Sequence, residues 1–198
     1  MNKKITNIKN IIAKIMEETE VLSYDFELLQ IYKSIEQTKN LTGSIAEVGV
    51  YKGGTAKLIC ESKGNKKFYL FDTFSGHPEV SEIDLPRHYK GRLKSSYKEV
   101  CAYLNKYQNI FIYKGIFPST SAPIINETFS FVNLDADLYR SILESLDFFY
   151  PRMVKGGIII IHDYHWLEGV RKAVDDFFID KIENVKSLRG SQCFIKKK

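Results

Sequence analysis

Acidic residues that follow apolar runs are the strongest chemical signal in this sequence. Asp135 follows the apolar run that begins at Phe129, and His162 and Asp163 follow the run Gly157–Ile161. Carboxylates and imidazoles bind divalent cations, and a carboxylate-rich set favours Mg²⁺ or Mn²⁺. If both runs are neighbouring parallel strands, their ends lie about 5 Å apart. The spacing therefore predicts that Asp135, His162 and Asp163 can meet at one ion.

A glycine-rich turn is the second candidate binding element. The segment Ala46–Thr55 closes an apolar run and opens a helical pattern, in which Thr55 could cap the helix. Its glycines allow a ligand to approach the backbone closely, but their spacing matches neither a phosphate loop nor a dinucleotide fingerprint. Glu47 suits a cationic or amino-bearing ligand. Asp72 ends the next apolar run, where an acid commonly accepts hydrogen bonds from ribose; the alternative is a tight turn with a helix-capping Asp72.

The elements that must position these residues alternate along the chain. Short runs rich in Ile, Val, Phe and Tyr predict buried strands at 44–50, 67–72, 109–113, 129–135, 157–162, 183–188 and 191–196. Apolar residues spaced three or four apart predict helices at 5–19, 24–39, 54–63, 95–106, 138–150 and 167–179. This alternation predicts an α/β fold with a doubly wound, mostly parallel seven-stranded sheet whose last two strands form an antiparallel hairpin. We expect one domain over 1–198, with an N-terminal helical cap at 1–42 and the sheet core at 43–198.

Composition limits the partners of the protein. The chain has 198 residues and a net charge of +5, but its lysines are scattered among acids, which is typical of a solvated surface and not of a nucleic-acid site. Its apolar runs are shorter than the ~20 residues of a membrane span, and the N-terminus lacks the features of a signal peptide. Three widely spaced cysteines fit a reducing compartment. We therefore expect a cytoplasmic protein with no nucleic-acid or membrane partner.

Several motifs in order resemble one enzyme family. The segments 47–55, 71–79, 133–141, 150–157 and 162–164 are similar to those of the macrocin O-methyltransferase family, and the resemblance covers about residues 44–179. It implies a class I, Rossmann-like methyltransferase that depends on S-adenosylmethionine and a divalent metal and methylates sugars of antibiotics. Carried over to this sequence, the resemblance implies that the cofactor contacts are Glu47, Val48, Gly49, Tyr51, Gly53, Thr55, Asp72, Thr73, Gly115, Ile116, Phe117 and Asp135. Of these, Asp72 would hold the ribose, and the turn 115–117 would flank the adenine.

The resemblance also implies a metal centre, from which this sequence departs at one position. The family places the metal on the aspartate that corresponds to Asp135 and on an Asp-Asp pair, but His162 occupies the first position of that pair and Asp163 the second. His162 is either a metal ligand or a buried histidine bonded to a neighbouring strand. Asp137 is a candidate general base or a helix cap. In the related catechol methyltransferases the base is a lysine, whose position here is Leu138.

The acceptor site is expected beneath a long connection. The segment Thr73–Ser95 is longer than ordinary connections, and such loops often form functional lids. His77 is a candidate acceptor contact or an exposed loop histidine, and Tyr164 is a second candidate contact. The first helix would complete the pocket or form a homodimer contact.

We therefore expect an S-adenosylmethionine-dependent O-methyltransferase that uses Mg²⁺ or Mn²⁺ and acts on a sugar or a glycosylated metabolite. Asp135 and Asp137 are the candidate catalytic residues. Two alternatives remain open: methylation of a small aromatic diol, and a cofactor-binding protein without catalytic activity.

Overall fold

A seven-stranded sheet organises the chain. The computed structural model describes residues 3–198, and its strand order is β3-β2-β1-β4-β5-β7-β6. Strands β1 to β5 are parallel, whereas β7 is antiparallel to both β5 and β6, which confirms the predicted terminal hairpin. The strands are β1 (Ser44–Val48), β2 (Phe68–Asp72), β3 (Ile110–Lys114), β4 (Phe129–Leu134), β5 (Met153–Ile161), β6 (Lys186–Ser187) and β7 (Cys193–Lys196).

The α-helices lie close to their predicted bounds. They are α1 (Lys3–Glu18), α2 (Asp25–Thr38), α3 (Gly54–Ser62), α4 (Tyr97–Leu104), α5 (Tyr139–Phe149) and α6 (Glu168–Phe178). Short 3-10 helices span Glu82–Asp84, Ala122–Ile124 and Tyr150–Arg152. Among the described residues no helix combines the length and apolar character needed to cross a bilayer.

Two strand predictions needed correction. Strand β5 begins at Met153 and not at 157, because Met153 already pairs with Phe129 before an irregular stretch that contains the glycine pair. Its register with β4 jumps from Phe129–Met153 to Phe131–Ile158, and Gly156 takes a positive φ of 82° in this irregularity. Strand β6 is only two exposed residues long, so the predicted run 183–188 is mostly outside the sheet.

Helices cover both faces of the sheet, as the doubly wound prediction requires. Adjacent residues of β4 belong to different apolar clusters: Phe131 packs with α1 to α4, and Val132 packs with α5 and α6. Burial on both faces explains why the strands appear in the sequence as continuous apolar runs. The N-terminal helix α1 is part of the hydrophobic core, because its Ile8, Ile12 and Ile15 are buried in the cluster that contains Phe131.

The strand order reverses between β1 and β4, and ligand sites of such sheets lie at this point. Gly49 follows β1 here and has a φ of 89°, which favours glycine. A Cβ atom on Gly49 would lie 1.9 Å from the carbonyl oxygen of Asp135. The backbone N–H of Asp135 donates to the carbonyl of Val48 at 2.8 Å. Only glycine therefore lets the turn after β1 lie directly against the end of β4.

This contact gives a stability prediction with a matched control. Gly49→Ala should lower the free energy of unfolding by more than about 3 kcal/mol, because it combines left-handed strain with a backbone clash. Gly64 also has a positive φ, of 59°, but among the residues that the structure describes nothing lies within 4 Å of its Cβ position. Gly64→Ala should therefore cost only about 1 kcal/mol. Chemical denaturation measures both, and equal losses would contradict the close contact.

Candidate functional site

A cavity of about 320 Å³ opens at the carboxyl ends of β1, β2, β4 and β5. Most residues predicted from the sequence line it, which confirms that the strand ends meet in one place. These are Val48, Gly49, Tyr51, Thr55, Asp72, Thr73, His77, Gly115, Ile116, Phe117, Asp135, Asp137 and Asp163. The remaining predicted residues, Glu47, Gly53, His162 and Tyr164, lie outside this lining.

Asp72 holds the glycine turn in place. Its Oδ2 accepts hydrogen bonds from the backbone N–H groups of Val50 and Tyr51, each at 2.8 Å, and its Oδ1 accepts one from Phe74 at 2.6 Å. Tyr51 and Phe74 both have positive φ, so the carboxylate stabilises two strained positions. The sequence predicted a ribose contact at Asp72; the structure adds that this side chain organises the turn itself.

Glu47 lies beneath the turn and is fully buried. Its Oε1 accepts a hydrogen bond from Asn133 Nδ2 at 3.0 Å, whereas Oε2 has no partner in the described part of the chain. Burial raises the pKa of Glu47 well above that of an ordinary glutamate, and the charges of Asp135 and Asp72 raise it further. A positive charge near this end of the cavity would favour the ionised form of Glu47, although Glu47 does not line the cavity.

Thr55 and Tyr164 have surroundings that differ from their predicted ones. Helix α3 begins after Gly53, and no side chain within residues 3–198 caps it, so Thr55 lines the cavity without the predicted capping role. The hydroxyl of Tyr164 donates to Asp175 Oδ1 at 2.8 Å on the side of α6. Burial and this bond raise the pKa of Tyr164 to about 12. The structure therefore does not bring Tyr164 to the predicted acceptor position.

The acidic half of the site lies at the ends of β4 and β5. Asp135, His162 and Asp163 each present a ligand atom, and these atoms lie within 4.8 Å of one another. His162 is buried, with its Nδ1 3.9 Å from Asp135 Oδ1. Burial and the neighbouring Asp163 raise the pKa of Asp135 well above its usual range. Burial lowers the pKa of His162 and so favours a neutral ring. The donor set fits a divalent cation, which would relieve the repulsion between the carboxylates.

Asp137 faces the cavity and does not cap α5. The N–H of Tyr139, at the start of that helix, donates to Asp84 Oδ1 at 3.0 Å, so a residue of the long loop supplies the cap. Asp137 takes a φ of 59°, a strained value for a residue other than glycine. Burial, followed by the charge of Asp135, raises its pKa well above the normal range. Of the two roles predicted for Asp137, the helix cap is wrong, and the general base remains a prediction.

Residues of the long loop line the cavity, and two of them form a histidine pair. His77 and His88 are buried, with His77 Nε2 3.0 Å from His88 Nδ1 and 3.6 Å from Asp137 Oδ2. Burial, together with His88, lowers the pKa of His77 to about 4, so this imidazole is neutral near pH 7. His77 is therefore not the exposed loop histidine that the sequence left as an alternative.

Several lining residues escaped the sequence-based prediction of the site. Arg87, His88 and Arg92 come from the long loop, and the sequence of a loop does not indicate which way its side chains point. Trp166 follows Asp163 by three residues, and its N–H donates to the Asp163 carbonyl at 3.0 Å. The connection between α1 and α2, residues 20–23, also lines the cavity. Helix α1 therefore contributes to the pocket through the residues that follow it.

Comparison with known proteins agrees with this geometry. A family model described as macrocin-O-methyltransferase (TylF) matches residues 26–187. The 8-demethyl-8-(2,3-dimethoxy-alpha-L-rhamnosyl)-tetracenomycin-C 4'-O-methyltransferase of Streptomyces olivaceus is 28% identical in an alignment 152 residues long, which covers 68% of this chain and 58% of that protein. Demethyldecarbamoylnovobiocin O-methyltransferase of Streptomyces niveus is 28% identical in an alignment 156 residues long, which covers 70% of this chain and 59% of that protein. The match thus spans less than two thirds of each relative's length.

Solved structures show the same fold. The O-methyltransferase NovP superposes with a TM-score of 0.75 at 22% identity, covering 86% of this chain and 79% of its own. The calicheamicin methyltransferase CalS11 gives a TM-score of 0.76 at 19% identity and covers 99% of this chain and 93% of its own. These similarities confirm the predicted α/β architecture of class I methyltransferases.

The contacts of Asp72 generate a stability prediction. Asp72→Ala removes the acceptor of three backbone N–H groups in the turn, so the free energy of unfolding should fall by roughly 1–3 kcal/mol even without any ligand. Asp175→Ala is the matched control, because it removes an exposed carboxylate that accepts one hydroxyl bond and should change stability by less than about 1 kcal/mol. Denaturant titration of the ligand-free proteins measures both. A change at Asp72 as small as the one at Asp175 would show that the turn does not depend on this carboxylate.

Proposed function

Because this chain belongs to the macrocin O-methyltransferase (TylF) family, we propose that it methylates a hydroxyl group of a sugar or a glycosylated small molecule, using S-adenosylmethionine and a divalent cation. One observation carries this proposal: the glycine turn and the aspartate cluster share one cavity, with Gly49 lying against Asp135. The named activity of the Streptomyces olivaceus relative, 4'-O-methylation of a rhamnosyl-bearing tetracenomycin, supports a sugar acceptor.

The cofactor half of the cavity suits an adenosyl sulfonium compound. A carboxylate oxygen has about two acceptor sites, so Asp72 Oδ2 is filled by the turn while Oδ1 keeps one site for a ribose hydroxyl. Ile116 and Phe117 line the cavity beyond β3, where an apolar surface can contact a planar base. The aspartates of the cavity, with buried Glu47 beneath, favour a ligand that carries positive charge.

Asp135 and Asp163 are the proposed ligands of the cation. Both carboxylates reach the cavity, and hard oxygen donors suit Mg²⁺ or Mn²⁺. His162, the third metal ligand predicted from the sequence, is buried behind them. When bound, S-adenosylmethionine supplies an electrophilic methyl group, and the divalent cation lowers the pKa of a hydroxyl beside it.

The surrounding residues can orient the acceptor and take up its proton. Asp137 lies in the cavity next to Asp163, and its raised pKa makes it a stronger base than an exposed aspartate. His77 is neutral and lies 3.6 Å from Asp137, so its ring can accept a hydrogen bond from a hydroxyl of the same sugar substrate. The loop that carries His77 lines the cavity and, in this proposal, limits the access of water. At the rim, the half-exposed ring of Trp166 provides a flat surface for a sugar ring.

A transfer assay with separate measurement of cofactor binding tests this function. With labelled S-adenosylmethionine, Mn²⁺ and a set of nucleotide sugars and glycosides, we expect methyl transfer that chelation abolishes. Asp135→Asn and Asp163→Asn should each lower the rate at least about 100-fold, because each removes a charge that holds the cation. Cofactor affinity, measured by calorimetry, should change much less. Asp175→Asn, outside the cavity, should retain the wild-type rate.

Three other outcomes of the same assay would favour an alternative function or contradict the role of the cation. Transfer to catechols and not to sugars would favour the small aromatic diol as acceptor. Cofactor binding with no transfer to any diol or sugar would indicate a binding protein. Full activity after confirmed removal of metal would contradict the role of the cation.

A further inference from the structure

Helix α2 reaches behind the aspartate cluster through Gln30. The Oε1 atom of Gln30 accepts a hydrogen bond from the backbone N–H of Arg189 at 3.2 Å, and its Nε2 donates to the carbonyl of Arg189 at 3.1 Å. A backbone N–H can only donate and a carbonyl can only accept. The two contacts therefore determine which end of the Gln30 amide is oxygen and which is nitrogen.

That orientation is passed on to Gln192, a fully buried residue just before β7. Gln30 Nε2 lies 2.8 Å from Gln192 Oε1, and an amide nitrogen can only donate, so the oxygen of Gln192 must face Gln30. The nitrogen of Gln192 then faces His162, with its Nε2 2.5 Å from the ring Nε2. Because the amide nitrogen of Gln192 can only donate, His162 Nε2 must accept this hydrogen bond.

The relay determines the tautomer of His162. A neutral imidazole carries one N–H, and an acceptor at Nε2 leaves that proton on Nδ1. Nδ1 is the atom that faces Asp135, at 3.9 Å from Oδ1. We infer that His162 is a positioning residue, which the Gln30–Gln192 relay holds as the Nδ1–H tautomer, and that it directs this proton at Asp135 and does not bind the metal.

This role differs from the ligand role predicted from the sequence. A histidine that binds a metal presents a bare nitrogen to the ion and usually donates its other N–H to a carboxylate or carbonyl. His162 has the opposite arrangement, with a protonated nitrogen toward the cluster and a bare nitrogen toward Gln192. The tautomer follows from hydrogen bonds within the protein and does not depend on a bound ion. Its consequence for metal binding rests on the proposed function. The protein ligands at this end of the cavity would then be carboxylates, and the preference for Mg²⁺ or Mn²⁺ would be retained.

Nitrogen NMR of the metal-free protein tests the tautomer directly. Two-bond ¹H–¹⁵N spectra of the full chain labelled at histidine distinguish a protonated from a bare ring nitrogen. The His162 signals are those lost in His162→Asn, with partly exposed His165 as a reference in the same spectrum. We expect a protonated Nδ1 and a bare Nε2 at His162. A protonated Nε2, with Nδ1 bare or protonated, would overturn the relay.

A substitution in the relay should move the proton. Gln192→Glu replaces the donor with an acceptor, so His162 Nε2 should become protonated in the variant. If Gln192→Glu does not fold, Gln30→Glu tests the same step. A carboxylate at residue 30 can only accept, so the amide of Gln192 should flip to turn its nitrogen toward residue 30 and its oxygen toward His162. His162 Nε2 should then become protonated in this variant too. An unchanged tautomer in a folded Gln192→Glu protein would contradict control by Gln192.

Electron spin-echo spectra of the Mn²⁺-loaded protein test the consequence for the metal. Directly bound imidazole gives a ¹⁴N modulation, and we expect the same spectrum for wild type and His162→Asn. A modulation that is present in the wild type and lost in His162→Asn would show that His162 is a ligand. Failure of Mn²⁺ to bind would instead contradict the proposed metal site, while the metal-free NMR spectra still decide the tautomer.

Discussion

The carboxylates of Asp135, Asp137 and Asp163 repel one another across the cavity, and burial strengthens this repulsion because little water screens it. The fold imposes their proximity, since β4 and β5 are parallel neighbours whose carboxyl ends meet at the same edge. Burial raises the pKa values of Asp135 and Asp137 well above their usual range. Charged forms of these groups are stable together only when positive charge lies among them. A divalent cation and a sulfonium cofactor would both supply such charge.

The rest of the site keeps these groups in place. Gly49 lets the turn after β1 contact the backbone of Asp135, and Asp72 holds that turn through its backbone N–H groups. From the other side, α2 contributes Glu27, whose Oε1 accepts from both the N–H and the hydroxyl of Ser191. Together with the Gln30 relay, this contact makes the N-terminal helices part of the support of the site.

The sequence predicted the architecture well, because helical and strand periodicities are local properties. It also located most of the site, since parallel strands bring residues such as Asp72, Asp135 and Asp163 to one edge. The orientation of individual side chains was less accessible. Asp84 caps α5 across 55 residues, and Gln30 reaches Gln192 across 162 residues. No local pattern encodes such pairs, so the sequence alone suggests Asp137 as a helix cap and leaves the role of His162 open between metal ligand and buried histidine.

The dependence of Mn²⁺ stabilisation on pH tests the need for a cation most directly. Groups whose pKa is raised on folding stabilise the protein while protonated and lose that stabilisation as pH rises through the folded-state pKa, by up to about 1.4 kcal/mol per pH unit for each group. Saturating Mn²⁺ competes with these protons, so the gain in unfolding free energy on adding it should grow as pH rises. The buried His77, His88 and His162 have lowered pKa values and titrate in the opposite sense, and Asp135→Asn, which retains all three histidines, controls for their contribution. We expect this growth in the wild type and its loss in Asp135→Asn. A gain from Mn²⁺ that is absent, or that is the same at all pH values in both proteins, would contradict a cation held by these carboxylates.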